Sequence, residues 1–159
     1  MKLDSLEKIN AAAKAHDGGR VAVAAAHDGD VLSAVARAGR EGICSALLFG
    51  NEKKIRAILE ELGEDAANYA ITDCATDAEC AAEAVAAVAA GKADFLMKGL
   101  LNTTDMLRAV VHKESGMVTD RLLSHVMFYE ADDYGKLIAD TDGGMNPYPD
   151  LDKKLLILE

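Results

Sequence analysis

The 159-residue chain contains no tryptophan, and only 4% of its residues are aromatic. Its interior must therefore be built from Ala, Val, Leu and Ile, a composition that suits helices packed closely on a sheet. Cations are scarce beside anions, 17 Lys and Arg against 27 Asp and Glu, for a net charge of −10. That balance argues against a nucleic-acid partner, whose affinity rests on neutralising phosphates, although a local cationic pocket is compatible with it. The three cysteines, Cys44, Cys74 and Cys80, are odd in number and form no CxxC pair. Neither a disulfide framework nor a metal site is expected from them. No apolar run is long enough to span a bilayer, and residues 1–10 are a charged helical pattern without the apolar stretch of a signal peptide. The expectation is a soluble cytoplasmic protein with no membrane partner. GxGxxG, GxxxxGK(S/T) and GxSxG are all missing, so a dinucleotide site, a P-loop and a nucleophile elbow lack their backbone machinery.

What is present is a strict alternation. A first helix begins at Asp4 or Ser5 and runs to about His16, stopped by Asp17-Gly18-Gly19. Short apolar runs follow at Arg20–Ala26, Ile43–Phe49, Tyr69–Thr72 and Asp94–Lys98, each too short for a helix and bounded by turn residues. Between them, helical spacing predicts helices from Asp30 to Gly39, Glu52 to Leu62 and Ala75 to Ala90, and a further one from about Thr103 to Lys113. This pattern predicts an α/β fold, a three-layer doubly wound parallel sheet with right-handed crossovers. The texture changes after Gly116. Leu122–Tyr129 and Leu137–Asp140 read as a hairpin, and Leu151–Glu159 as a short helix with an uncovered apolar group, Leu155 to Leu158. The expected division is 1–118 as the N-terminal domain and 119–159 as the start of a second, incomplete α/β domain.

Ligands in such sheets sit beyond the carboxyl ends of the strands. That rule selects Ala93–Arg108, where a strand ends in Lys98-Gly99 and polar residues open a helix. Asn102 or Thr103 can cap that helix, and its first N–H groups and dipole favour an anion. The hydroxyls of Thr103 and Thr104 can donate to an oxyanion. Arg108 lies one turn from Thr104, where it can fork onto the same anion, or else simply pair with Asp105 on a wet surface. Lys98 approaches from the strand side, or stands as a solvated strand end. His27-Asp28 occupies the equivalent junction after the first strand, where His27 can orient a ligand or be merely exposed. Asp140, Asp142 and Asn146 resemble part of a calcium loop, but no Glu follows at the required spacing, so they read as loop and cap residues with no metal.

At Met97–Arg108 the sequence resembles the phosphate acetyl/butyryltransferase family, closest to its phosphate butyryltransferase branch. The resemblance extends to Ala25–Asp28, Leu48–Ile55, Arg121–Val126 and Asp140–Asn146 in the same order. It implies an enzyme that interconverts acyl-CoA and phosphate with acyl phosphate and free CoA. The implied fold is two α/β domains with the active site in the cleft between them. It is commonly dimeric, and transfer is direct, without an acyl-enzyme. The implied partners are short-chain acyl-CoA and phosphate or acyl phosphate, with a homo-oligomer. No cofactor is implied, since coenzyme A is a substrate. On this resemblance Arg108 and Arg121 are the catalytic candidates, and Lys98, Asn102, Thr103, Thr104, Ser124 and His27 bind substrate or phosphate. Two departures stand out. Asp120 occupies a position where the family carries a small residue, and family members run well beyond residue 159. The expectation is therefore the N-terminal portion of a phosphate acyltransferase. The alternative is a non-catalytic anion-binding or dimerisation module derived from it, and another enzyme on the same sheet, dehydratase-like for example, is a third reading.

Overall fold

A computed structural model describes residues 2–16, 18–115 and 117–158. Asp17, expected in the turn that stops the first helix, lies outside the described residues, as do Met1, Gly116 and Glu159. The chain packs as two units, Lys14–Val118 on the one hand and Met1–Ala13 with Thr119–Glu159 on the other.

The larger unit is built on four parallel strands, β1 (Gly19–Ala24), β2 (Cys44–Gly50), β3 (Ala70–Asp73) and β4 (Phe95–Lys98), in the order β3-β2-β1-β4. Helices α2 (Gly29–Arg40), α3 (Glu52–Glu61), α4 (Asp77–Ala89) and α5 (Thr103–Val110) connect and follow the strands. Alternation of side chains along β1 divides the core in two. Val21 and Val23 pack with Leu32, Val35, Leu48, Ile55 and Leu59 beneath α2 and α3. Ala22 and Ala24 pack with Cys80, Ala81, Ala84, Leu101 and Met106 beneath α4 and α5. The result is the three-layer doubly wound sheet that the alternation of elements predicts. Leu32, Leu48, Ile55 and Leu59 are fully buried, each contributing roughly 1.5–3 kcal/mol by burial. On the other face alanine meets alanine, which lets α4 approach β1 closely.

Side-chain caps set the helix starts as the sequence pattern requires. Asp28 accepts the Val31 N–H, Asn51 that of Lys54, Thr76 that of Glu79 and Asn102 that of Thr104. One helix is shorter than expected. α5 stops at Val110 because the Ser115 hydroxyl donates to the Val110 carbonyl at 2.9 Å, and residues 113–115 form a 3-10 turn instead.

The smaller unit carries α1 (Leu6–Ala15) up to Ala13, the antiparallel pair β5 (Met127–Glu130) and β6 (Leu137–Asp140), and α6 (Leu151–Leu158). The strand expected from Leu122 begins only at Met127. Upstream, the backbone is bonded to loop side chains rather than to a ladder. Asn146 donates to the Leu123 carbonyl at 3.1 Å, the Thr141 hydroxyl to the His125 carbonyl at 2.8 Å, and the His125 N–H to Asp142 at 3.1 Å.

Candidate functional site

The strand order places a topological switch between β1 and β4. The chain steps outward from β1 through β2 to β3, then crosses back to form β4 on the other side of β1. Crevices open at such points, outside the carboxyl ends of the two strands. The segments that leave those ends are Ala25–Asp28 after β1 and Gly99–Asn102 after β4, the two junctions singled out by their residues.

Gly99 holds the two junctions together. Its N–H donates to the Ala24 carbonyl at 2.8 Å, and the next N–H, of Leu100, donates to the Ala25 carbonyl at 3.0 Å. A Cβ at position 99 would lie 2.3 Å from the Ala25 oxygen and 2.7 Å from that of Ala24. Only glycine allows the chain to leave β4 so close to β1. Ala25 itself adopts φ +54°, a left-handed conformation uncommon for a residue with a side chain. Nothing in the identity of an alanine signals this, and residue reasoning did not find it.

From Gly99 the chain climbs into α5. Lys98 does not reach outward with its whole ammonium group. Its Nζ turns back to donate to the Gly99 carbonyl at 3.1 Å and the Leu101 carbonyl at 3.0 Å, stapling the loop that starts the helix. Leu101 and Met106 are buried and anchor that loop and helix against α4 and the sheet. Asn102 is the N-cap, its Oδ1 accepting the Thr104 N–H at 2.9 Å. Asn102, Thr103 and Thr104 are all exposed at the helix start. Their polar groups and the positive end of the helix dipole therefore face solvent at the carboxyl edge of the sheet.

His27 sits on the β1 side of the same edge. Its Nδ1 accepts the Asn51 N–H at 3.3 Å, so the neutral ring carries its proton on Nε2 and keeps a donor available. Gly50 makes room for the ring, since a Cβ there would lie 2.6 Å from Nδ1. Residue spacing did not reveal this tie between the ends of β1 and β2; a glycine as the last residue of a strand is the signal for it.

Arg108 takes the surface-pair geometry. Its Nη1 bonds Asp105 at 3.1 Å, and its side chain is 73% exposed. It lines a cleft of about 410 Å³ with Ala82, Ala86 and His112 on the outer side of α4 and α5. A single hydrogen bond leaves most of its donors unused. Arg121 and Ser124 belong to the smaller unit, Arg121 exposed and Ser124 half-buried. There Asp142 organises the neighbouring loop. Desolvation opposes its charge, but bonds from the Asn146 amide and the N–H groups of Met145, Gly144 and His125 prevail and hold its carboxyl well below the usual range. Both carboxylate oxygens are thus engaged by the loop itself. Among the described residues no group of three or more His, Cys, Asp or Glu is placed to hold a metal ion. No helix among them is long and apolar enough to cross a membrane.

Comparison with known proteins places this geometry in context. Residues 76–158 match the family described as phosphate acetyl/butaryl transferase. The chain is 37% identical over 156 residues to phosphate butyryltransferase from Clostridium acetobutylicum, covering 98% of this chain and 52% of that protein. It is 38% identical over 154 residues to phosphate acetyltransferase from Thermotoga maritima, covering 97% of this chain and 52% of that protein. Among solved structures, a branched-chain phosphotransacylase from Enterococcus faecalis V583 superposes with a TM-score of 0.67 at 26% identity, over 87% of this chain and 47% of the other. A phosphotransacetylase from Staphylococcus aureus shares the fold with a TM-score of 0.64 at 16% identity, over 91% of this chain and 52% of the other. The chain spans about half the length of the curated relatives it matches.

Proposed function

Because this chain belongs to the phosphate acetyl/butaryl transferase family, we propose that it carries the N-terminal part of a phosphate acyltransferase, which moves a short acyl group between coenzyme A and phosphate. The observation that carries the reading is the open start of α5. An exposed, Asn102-capped helix N-terminus with two threonine hydroxyls stands at the switch between β1 and β4. The N–H groups of Thr104, Asp105 and Met106 are already bonded to Asn102, so this terminus favours a phosphoryl group through the exposed threonine hydroxyls and the positive end of its dipole.

The chemistry asks for donors and positioning. In the forward direction a phosphate oxygen bonds to the thioester carbonyl carbon, charge builds on the carbonyl oxygen, and the C–S bond breaks to release CoA as the thiolate. Donors fixed where that charge develops lower the barrier without a protein nucleophile. Asn102, Thr103 and Thr104 are the proposed phosphate holders, with Lys98 fixing the loop and keeping one N–H of its ammonium for the anion. Arg108 must swing from Asp105 to reach the same group, a small loss for an exposed pair. His27 is proposed as a neutral donor through Nε2. Arg121 and Ser124 enter as candidates on the family resemblance alone. The reading uses CoA as a substrate, calls for no resident cofactor, and places the protein in the cytoplasm, where acyl-CoA is found.

The test is phosphate-dependent release of free thiol from acetyl-, propionyl- and butyryl-CoA. It is run on the 159-residue chain alone and with the remaining half of the Clostridium acetobutylicum relative supplied as a second polypeptide. Release in either arm that falls at least tenfold in Asn102→Asp supports the reading. Phosphate binding without thiol release in both arms would instead favour the non-catalytic anion-binding module.

A further inference from the structure

The groups assigned to phosphate stand at the carboxyl edge of the parallel sheet, and a cleft of about 600 Å³ opens at the opposite edge of the same unit. Nothing in acyl transfer uses it. Gly18, Cys44 and Tyr69 line it, at the points where β1, β2 and β3 begin. The length of β2, roughly 20 Å for its seven residues, separates it from the carboxyl edge.

Its floor is apolar. Val35 and Ala36 of α2 are buried there, and Cys44 and Ala46 beside them are half-buried. The polar groups gather where α2 ends and where the chain enters β3. Among the described residues that line the cleft the only carboxylate is Glu64, and both its oxygens are taken. Arg40 Nη1 donates to Oε1, and the Tyr69 hydroxyl donates to Oε2 at 3.0 Å. Only 14% of the Glu64 side chain is exposed, against 61% of Arg40. Glu64 therefore holds the guanidinium from one side, and the outer side of that fork is left to the cleft. The Asn68 amide adds a donor to the same lining.

One residue of the wall is not explained by the fold. Gly39 lies inside α2, one residue from its end, where glycine costs up to about 1 kcal/mol relative to alanine. Its backbone is helical, and a Cβ there would meet only the Cys44 carbonyl oxygen, at 3.8 Å. Neither conformation nor crowding requires a glycine. A side chain at this position would instead fill the cleft, which Gly39 lines.

An arginine fork beside an apolar floor selects a carboxylate carried on an apolar body. A phosphate dianion is the poorer match, because α2 and α3 both end at this edge and the negative ends of their dipoles oppose it. We infer that the cleft is a binding site for an aliphatic monocarboxylate, whose headgroup takes the outer side of Arg40 and whose chain lies over Val35, Ala36 and Ala46 in the space that Gly39 leaves. The site is separate from the acyl-transfer reading and stands whether or not the chain turns over acyl-CoA.

The test uses the 159-residue chain and three molecules that share one tail: octanoate, 1-octanol and octylamine. Cys44 reports occupancy, because it lines the cleft whereas Cys74 and Cys80 are buried. Saturating octanoate should slow alkylation of Cys44 by N-ethylmaleimide at least about tenfold, since only the unoccupied fraction reacts. It should also move the amides of residues 35–44 and 64–69. The alcohol and the amine should bind at least about tenfold more weakly, and Arg40→Gln should weaken octanoate by a similar factor. Gly39→Leu should abolish the octanoate-dependent amide shifts without lowering the urea midpoint, since leucine is the better helix former. If Arg40→Gln unfolds the chain through the loss of its bond to Glu64, Gly39→Leu decides alone. Octanoate shifts that survive Gly39→Leu would overturn the proposal, as would equal binding of all three molecules or a preference for the amine. Shifts confined to other residues, or none at millimolar octanoate with the chain folded, would overturn it too.

Discussion

Gly99 is the residue on which the site's geometry turns. Its hydrogen atom faces the carbonyls of Ala24 and Ala25 at a distance where a methyl group cannot fit. Gly99→Ala should push β4 from β1 and destabilise the chain by at least about 2 kcal/mol, read from urea unfolding. An unchanged midpoint would mean that the junction is looser than described. A buried thiol and a half-buried phenol give the residue scale a pH signature. Desolvation, and then the neighbouring Cys80, pushes the Cys74 thiol up to about 12 from its ordinary 9.0. Desolvation, and then the bond to Glu64, pushes Tyr69 up to about 12 from 10.0. The folded chain thus holds protons that the unfolded chain gives up. The stabilisation is complete below about pH 9 and is lost as pH rises from there through 12. The urea midpoint should fall across that window, and the fall should be shallower in Tyr69→Phe and Cys74→Ala; an identical slope in both variants would refute the assignment. Residues also mark the reach of sequence reading. Asn102 as cap and the Arg108–Asp105 pair were visible from spacing, because both are local. The inward turn of Lys98 and the left-handed Ala25 were not, because each depends on where the chain is going next.

At the scale of elements, the strands and helices of the larger unit were legible almost to their ends. Short apolar runs and caps are local signals, and tertiary packing agrees with them at every element. The two departures have a common cause. α5 ends early at a serine hydroxyl five residues on, and β5 starts late because Thr141, Asp142 and Asn146 reach back to residues 123–125. Side chains bonding distant backbone leave no periodicity to read. α5 itself affords the sharpest separation of fold from function. Asn102→Ala should cost about 1 kcal/mol in stability through the lost cap. Asn102→Asp should keep the cap and the stability, since aspartate caps as well, yet weaken phosphate binding at least tenfold by setting a carboxylate against the anion. Equal phosphate affinity in wild type and Asn102→Asp, by calorimetric titration, would remove the helix start from the site.

At the scale of the whole molecule, a net charge of −10 surrounds a helix start that favours a negative ligand. The long-range field therefore opposes the approach of phosphate, and affinity must come from short-range donors. Low salt should accordingly weaken phosphate binding, where a nucleic-acid binder would tighten. Composition made that acidic frame plain from the start, and the order of elements made the sheet plain. The position of the switch between β1 and β4 required the strand order, which no local pattern carries. The most direct test of the account is a titration of the 15N-labelled chain with inorganic phosphate, followed by amide shifts. The expected result is saturable movement at Gly99–Asp105 and at His27 and Asp28, reduced in Arg108→Ala and abolished in Asn102→Asp. Shifts confined to other residues, or none at millimolar phosphate with the chain folded, would contradict an anion site at the carboxyl edge of β1 and β4.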